Sequence, residues 1–288
     1  MFDAGELAVL RRAYARQVTF LGGAANAALE DAYANVSREL YLGRGPWPIF
    51  RWPGGYLQTP DKDPAWLYAD VLVGILPERG LNNGQPSAHA RWIAAAAPAA
   101  GEHVVHVGAG VGYYSAIMAH MVGPTGTLTA IEVDPGLAAR ASANLARLPR
   151  AVVLQGDGSV APFAPADVIY VNAGATRPAE AWLDRLKDGG RLVLPLTTQR
   201  NFAAPGDVRR PSGAVFCITR RGDAFAADFI GAIGVFPCEG MRDEVSERAL
   251  AAAFDKGGFE RVKRLHRSAD VAEDDCWVRA PGWSLTYR

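Results

Sequence analysis

The chain has 288 residues, of which 49% are hydrophobic, which is enough to bury the core of one α/β domain with added elements. Lysine plus arginine and aspartate plus glutamate both number 30, so no overall field favours nucleic acid or an anionic membrane as a partner. No signal peptide or membrane-spanning run is recognisable, and three widely spaced cysteines do not suggest a disulfide framework, so we expect a reduced, cytoplasmic protein.

Two amphipathic helices are predicted at the start of the chain. Apolar residues recur at helical spacing over residues 5–22 and again over residues 25–41. We expect these helices to flank the main sheet or to cover it as a lid.

Residues 43–68 are dense in proline, glycine and aromatic residues, and this composition predicts irregular structure. Long irregular segments often act as lids, so the aromatic side chains here can be read as the wall of an acceptor pocket. An aromatic cluster that pins the loop to the body is an equal alternative. The residues concerned are Trp47, Phe50, Trp52 and Tyr56.

The most informative segment is residues 103–134. A hydrophobic strand runs into three glycines at alternate positions, Gly108, Gly110 and Gly112, then into a helix and a second strand that ends on Glu132. Such glycines let a ligand approach the backbone, and an acid about 20 residues further on suits a ribose diol. A dinucleotide site normally has G-x-G-x-x-G, but here the third glycine comes one residue early, and no lysine or arginine lies between the strands. The pattern favours S-adenosylmethionine, which carries a sulfonium and no phosphate, over a nicotinamide cofactor. The alternative is that these glycines serve only a tight turn and bind no ligand.

Two further apolar strands end on polar residues. One, within residues 151–159, closes on Asp157, and the other, within residues 166–176, closes on Asn172. Because ligands bind at the carboxyl ends of strands in open α/β sheets, we expect Asp157 to accept from an adenine amino group and Glu132 from ribose hydroxyls. A turn aspartate that caps its own loop is the alternative for Asp157. Helices are predicted after a strand or loop in each case, which is the βαβ rhythm of a parallel sheet, and they cover residues 87–97, 112–121, 135–146 and 178–187.

The last strands have a different pattern. After a strand within residues 186–196, residues 213–221 and 223–236 alternate about a central glycine, which predicts an antiparallel hairpin. Beyond residue 240 we expect a helix near residues 244–256 and two short strands. The basic run 261–267 is most simply an exposed strand face, with nucleic-acid contact as the minor alternative.

Six stretches of this sequence form a recognisable combination: residues 11–40, GQPSAHA (84–90), VGAGVGYYSA (107–116), GDGS (156–159), LKDGGRLVLPL (186–196) and GVFPCEG (234–240). Together they resemble the class I S-adenosylmethionine-dependent methyltransferases and, within them, the protein-L-isoaspartate O-methyltransferase family. The resemblance implies an α/β fold with a doubly wound, Rossmann-like, mostly parallel sheet. It also implies an antiparallel terminal hairpin, N-terminal helices and a small C-terminal extension.

The resemblance also implies a set of site residues. Those expected to contact S-adenosylmethionine are Gln85, Gly108, Gly110, Gly112, Tyr113, Glu132, Val133, Asp157 and Gly158. Those expected at the catalytic, acceptor-binding side are Ser87, His89 and Asn172, with no metal.

Two positions depart from the family pattern. His106 stands two places before the first glycine, where an acid is usual, and Gly84 stands where the family's T-I-S-x-P loop has its serine. We expect His106 to be an interior histidine. His89 is read either as a proton acceptor or as a histidine bonded to the cofactor or to the backbone.

The expected activity is therefore methyl transfer to an isoaspartyl-like carboxylate of a protein or peptide. A carboxylate is ionised at neutral pH, so the reaction requires no general base. Gly84 leaves open a small metabolite or a modified peptide as the acceptor, and His106 leaves open an inactive cofactor-binding module. We expect no nucleic-acid or membrane partner, and the oligomeric state is not indicated. The expected regions are 1–80 (helices and aromatic loop), 81–240 (cofactor-binding domain) and 241–288 (an extension packed on that domain).

Overall fold

The computed structural model of the chain describes residues 2–51, 55–199, 213–233 and 240–288. None of the helices in these ranges combines the length and the apolar character that crossing a bilayer requires. The helices are α1 (Ala4–Leu21), α2 (Ala27–Asn35), α3 (Glu39–Leu42), α4 (Pro86–Ala96), α5 (Tyr113–Val122), α6 (Pro135–Leu145), α7 (Glu180–Arg185) and α8 (Glu244–Lys256). The strands are β1 (Pro48–Arg51), β2 (Gly55–Gln58), β3 (Gly74–Leu76), β4 (Leu81–Asn82), β5 (His103–Val107), β6 (Thr127–Glu132), β7 (Ala151–Gln155), β8 (Ala166–Val171), β9 (Leu186–Thr197), β10 (Gly213–Arg221), β11 (Ala224–Ala232), β12 (Arg264–His266), β13 (Cys276–Ala280) and β14 (Trp283–Thr286).

The chain folds into two compact units. The first comprises Met1–Gly101 and Ala109–Gln155, and the second comprises Glu102–Gly108 and Gly156–Arg288. The predicted division at residues 80 and 240 stays a prediction.

The first unit begins with the helix α1, which contacts α2 and α4. Asp3 and Glu6 form a capping box that satisfies the first N–H groups of α1. The helix buries Tyr14 and Val18 against the unit, as the predicted apolar stripe requires.

The predicted helix over residues 25–41 is wrong in its continuity, because the structure breaks it into α2 and α3. Val36 takes extended dihedral angles and ends α2. The Arg38 side chain turns inward, is fully buried, and donates to the Leu67 and Val71 carbonyls at 2.8 and 2.9 Å. These tertiary hydrogen bonds outweigh the local helical pattern.

The prediction that residues 43–68 are irregular is also wrong, because β1 and β2 form an antiparallel hairpin there. Phe50 pairs with Tyr56 across the hairpin, and their rings meet edge to face at 5.3 Å. Trp47 is buried, and its indole N–H donates to the carbonyl of Gly43 at the start of the same segment. Trp52 lies outside the described residues. Proline and glycine here mark the ends of short strands rather than an absence of structure.

The strands β6 and β7 form a parallel pair in the first unit. Their register runs from Leu128 opposite Ala151 to Glu132 opposite Gln155. The helices α5 and α6 both contact β6. This is the strand and helix alternation that the sequence predicts.

The second unit is built on a sheet with the strand order β13-β14-β12-β11-β10-β9-β8-β5. The strands β5, β8 and β9 run parallel, and β9, β10 and β11 run antiparallel. The α/β fold class and the terminal hairpin are thus confirmed. Residues 234–236 of the predicted hairpin and Cys238 lie outside the described residues, whereas Cys217 and Cys276 are buried free thiols.

The residues after 240 continue this sheet. The strand β12 pairs with β11 and β14, and β13 pairs with β14. Leu265 points into the core, whereas Arg264 is exposed, as the alternating basic run predicts. Aromatic rings from the β10–β11 hairpin and from the residues after 240 form one cluster, made up of Phe216, Phe229, Phe254, Phe259 and Trp277.

Candidate cofactor and acceptor sites

The glycine loop joins β5 to α5. Gly110 has a φ of +56°, in the left-handed region that favours glycine. Among the described residues, a β-carbon at Gly110 would come within 4 Å of the Ile75 side chain alone, at 3.8 Å, so this part of the loop has open space beside it there. A β-carbon at Gly108 would instead lie 3.1 Å from the Asn172 carbonyl oxygen. The loop therefore has room for a ligand beside Gly110.

Glu132 lies at the carboxyl end of β6 and is buried. Its carboxylate accepts hydrogen bonds from the Gly110 N–H at 2.7 Å and the Asp134 N–H at 3.0 Å. Burial raises the pKa of the Glu132 carboxyl above its ordinary value, and the two hydrogen bonds oppose that shift. A carboxylate offers about four acceptor positions and the main-chain hydrogen bonds use at most three of them, so Glu132 can accept from a hydroxyl without releasing the loop.

Val133 and Tyr113 have contrasting positions in the first unit. Val133 is 37% exposed, so its side chain is available to a ligand. Tyr113 is fully buried, and its ring packs edge-on against Tyr33 and Tyr41 at 6.4 and 5.8 Å. Only the main chain of Tyr113 therefore remains available for the contact that the sequence predicts.

Asp157 follows β7 and lies in the second unit. Its carboxylate accepts from the Ser159 N–H at 2.8 Å, the self-capping turn anticipated as an alternative. A β-carbon at Gly240 would lie 2.1 Å from the other carboxylate oxygen, so Gly240 packs directly on Asp157. The neighbouring Gly158 carbonyl accepts from the Trp182 indole at 2.8 Å. The Asp157 carboxylate thus has a fixed orientation and is half-buried.

Asp70, which the sequence analysis did not single out, organises the start of α4. Its carboxylate accepts from the Ser87 N–H at 2.8 Å, the Ser87 hydroxyl at 2.7 Å and the Gln85 amide at 2.9 Å. A carboxylate at a helix N-terminus is stabilised by the free N–H groups and the helix dipole. No local sequence signal could have found Asp70, because its partners are 15 and 17 residues away along the chain.

His89 is buried in the first turns of α4. Its ring stacks on the Tyr114 ring with centroids 3.5 Å apart and planes 7° apart, and it meets Trp92 edge-on. A β-carbon at Gly84 would lie 2.2 Å from His89 Nε2. The ring therefore occupies the place of a side chain at position 84.

Asn172 follows β8 in the second unit. Its N–H donates to the Val107 carbonyl at 2.8 Å, and its amide donates to the Gly108 carbonyl at 3.4 Å. His106 of the neighbouring strand β5 is fully buried beside the Tyr170 ring. Burial lowers the pKa of His106 to about 3, so this histidine is neutral at pH 7. The structure places it in the interior, as expected.

The turn that carries Asn172 is held by the first residues of the C-terminal extension. Arg242 donates to the Gly174 carbonyl at 3.1 Å and to the Thr197 carbonyl and hydroxyl at 3.0 and 2.9 Å. Thr176 donates to the Met241 carbonyl at 3.0 Å and accepts from the Asp243 N–H at 3.0 Å. Sequence reasoning missed this contact because it joins residues more than 40 positions apart.

The chain has the cofactor-binding arrangement of the class I S-adenosylmethionine-dependent methyltransferases: a buried parallel strand runs into a bare glycine loop and a helix, and an acid closes the following strand. The family model for protein-L-isoaspartate(D-aspartate) O-methyltransferase matches residues 67–216. The chain belongs to this family.

Individual relatives cover different shares of the chain. A protein-L-isoaspartate O-methyltransferase of Ignicoccus hospitalis is 42% identical over 150 residues, which are 51% of this chain and 70% of the relative. Protein-L-isoaspartate O-methyltransferase 1 of Archaeoglobus fulgidus is 43% identical over 113 residues, 37% of this chain but only 52% of that relative. A solved protein-L-isoaspartate O-methyltransferase structure aligns with a TM-score of 0.66 over 83% of this chain and 69% of its own, and at 21% identity it shows the fold alone.

Proposed function

We propose that this chain transfers a methyl group from S-adenosylmethionine to the carboxylate of an isoaspartyl residue in a protein or peptide. The hydrogen bond from Gly110 to Glu132 carries the proposal, because it sets a buried acid against a glycine loop with open space beside it. The names of the relatives support the choice of acceptor.

The cofactor side of the proposal uses main-chain groups and two acids. Glu132 would accept from the ribose hydroxyls, and Val133 would offer an apolar surface to the adenine. Asp157 would accept from the adenine amino group while it keeps its bond to Ser159. The remaining residues would approach the cofactor through their main chains or, for Gln85, through the amide: Gln85, Gly108, Gly110, Gly112, Tyr113 and Gly158.

The acceptor side of the proposal depends on amide groups. A carboxylate needs hydrogen-bond donors, and the Ser87 hydroxyl already donates to Asp70. Gln85 is exposed and gives Asp70 one of its two amide protons, so the second is available for the acceptor. The Asn172 amide has a second proton in the same way. His89 is buried against Tyr114 and would support the loop rather than move a proton.

The chemistry asked of these residues is limited. Bound S-adenosylmethionine supplies a methyl group that its sulfonium already activates for in-line displacement. An ionised carboxylate attacks without a general base, so the chain has to align the acceptor and exclude water. Buried Tyr113 and His89 give the loop and α4 the fixed positions that such alignment requires.

The direct test is methylation of an isoaspartyl peptide by the purified chain with methyl-labelled S-adenosylmethionine. We expect a base-labile methyl ester that releases methanol, and no label on the same peptide with an ordinary aspartyl linkage. Glu132→Ala and Asp157→Ala should each weaken binding of the analogue sinefungin, whereas Glu260→Ala, which removes an exposed acid, should not. Unchanged affinity in both site variants would refute the cofactor assignment.

A second acceptor class is favoured by one observation. Position 84 has no hydroxyl, and the Ser87 hydroxyl donates its hydrogen bond to Asp70, so fewer donors are free around this loop than the family pattern suggests. A small metabolite or a modified peptide without a free carboxylate would suit such a surface better. Cofactor binding combined with no methyl ester on any isoaspartyl peptide would favour this class.

A further inference from the structure

The first unit contains a large cavity that the proposed reaction does not use. It has a volume of about 590 Å³, within the range of about 300–1,000 Å³ that is typical of small-molecule sites. Its walls come from the link between α2 and α3, the end of α5, the start of β6 and the link from α6 to β7.

The cavity lies at the opposite end of β6 from Glu132. Thr127 and Leu128 at the start of β6 and Ala151 at the start of β7 line it. From Leu128 to Glu132 a strand advances by roughly 13 Å. Ligands of open α/β sheets bind at the carboxyl ends of strands, so a cavity at the amino ends is a separate place.

The chemistry of the walls is apolar with a cationic rim. Val36, Leu40, Leu128 and Leu148 are among the lining residues, and Leu40 is 50% exposed despite its apolar side chain. None of the described residues that line the cavity is acidic. His120 at the rim is paired with Asp31 at 2.8 Å.

Two arginines give the rim its charge. Arg147 and Arg150 both line the cavity and are exposed, and neither forms an ion pair with another residue in the described part of the chain. An unpaired guanidinium beside an apolar wall suits a carboxylate or a similar anionic group attached to a hydrocarbon body.

We infer that this cavity is a binding site for a small amphipathic anion, a molecule with an apolar body and one carboxylate-like head group. The apolar body would cover Leu40 and Leu148, and the head group would contact Arg147 and Arg150. The site is independent of the proposed methyl transfer.

The test is calorimetric titration of the full chain with sodium decanoate below its micellar concentration, with decyltrimethylammonium as the probe of opposite charge. We expect saturable binding of decanoate and at least tenfold weaker binding of the cation. The variant Arg147→Ala/Arg150→Ala should weaken decanoate binding by about tenfold, the loss expected of two exposed charge contacts.

The matched control is Arg12→Ala/Arg16→Ala, which removes the same charge from exposed positions on α1 outside the cavity. It should bind decanoate as the unchanged chain does. Since all four arginines are exposed, both variants should fold, and the single variants Arg147→Gln and Arg150→Gln repeat the test with smaller changes.

Three results would overturn the inference: no decanoate binding, equal binding of both probes, or equal losses in the two arginine variants. A second copy of this chain over the cavity would give the first result together with a dimer in sedimentation that Arg147→Glu/Arg150→Glu dissociates. Binding is read directly, so none of these outcomes depends on methyl transfer.

Discussion

Gly84 packs against the ring of His89, and a β-carbon at position 84 would come within 2.2 Å of His89 Nε2. The backbone at Gly84 also has a φ of +73°, which residues with a β-carbon rarely adopt. The serine that the family pattern places here would therefore collide with a ring that stacks on Tyr114. The glycine that replaces the family's serine at position 84 and the position of the His89 ring therefore depend on each other.

We predict that Gly84→Ser destabilises the chain by about 2–4 kcal/mol, through the backbone strain together with displacement of the ring. In the background of His89→Ala the ring is absent, so Gly84→Ser should cost only the backbone part, about 1 kcal/mol. A double-mutant cycle from urea denaturation measures the difference as a coupling energy.

The control for the backbone part is Gly23→Ser. Gly23 also has a positive φ, +64°, but a β-carbon there would meet no atom of the described residues within 4 Å. Additive effects of Gly84→Ser and His89→Ala would contradict the contact.

The candidate site was predicted from the sequence only where its residues follow one another along the chain. Strand, glycine loop and Glu132 are local in this sense: their order predicts a nucleotide-like cofactor, and the glycine spacing favours S-adenosylmethionine. The partners of Ser87 and Gln85 were not predictable, because Asp70 reaches them from a loop with no motif of its own. Side-chain direction was not predictable either: Tyr113 follows the loop directly but turns into a tyrosine cluster.

We predict that Asp70→Asn destabilises the chain by about 1–2 kcal/mol and raises the KM for the methyl acceptor more than it changes cofactor affinity. Asparagine has one acceptor oxygen where Asp70 uses both, so it cannot serve the Ser87 N–H, the Ser87 hydroxyl and Gln85 together. Ser87→Ala removes only the hydroxyl bond and should cost less, about 1 kcal/mol. If Asp70→Asn costs no more than Ser87→Ala, the organising role of Asp70 is wrong.

We predict that Arg242→Ala lowers methylation activity, chiefly by raising the KM for the acceptor. The reason is that the arginine holds the turn after Asn172 through the Gly174 carbonyl. Loss of these bonds and of the pair with Glu247 should cost about 1–3 kcal/mol of folding stability. Arg242→Lys keeps the charge and part of the bonding and should recover part of the activity. Steady-state kinetics should show a larger change in the acceptor KM than in sinefungin affinity.

The control for Arg242 is Arg248→Ala in the following helix, α8. The Arg248 side chain is 71% exposed, and its only ion pair among the described residues is with Glu244 at 3.6 Å, so its removal should change stability by less than about 0.5 kcal/mol. Equal kinetic effects of the two alanine variants would rule out a positioning role for Arg242.

The fold was predictable to the extent that short-range patterns decide it. The apolar run of β5 and the alternation of β10 and β11 about Gly222 predicted a parallel strand and a hairpin, and both are present. The break after α2 was not predictable, because it depends on Arg38 reaching carbonyls about 30 residues away. The hairpin of β1 and β2 was missed because proline and glycine at strand ends resemble a loop in composition.

We predict that His106 makes the chain sensitive to mild acid. Burial lowers the pKa of His106 to about 3, well below the ordinary value of 6.5, so between these two pH values the unfolded chain binds a proton that the folded chain does not. The stability from the neutral, buried ring is complete above pH 6.5 and falls as the pH drops toward 3, by at most about 1.4 kcal/mol per pH unit.

His106→Phe keeps a ring beside Tyr170 but cannot titrate, so its unfolding free energy should fall less steeply between pH 6.5 and about 4.5. Urea denaturation across this range measures both slopes, with about pH 8 as the reference at which the histidine is neutral in both states. Parallel slopes for the two proteins would show that His106 is not the group responsible.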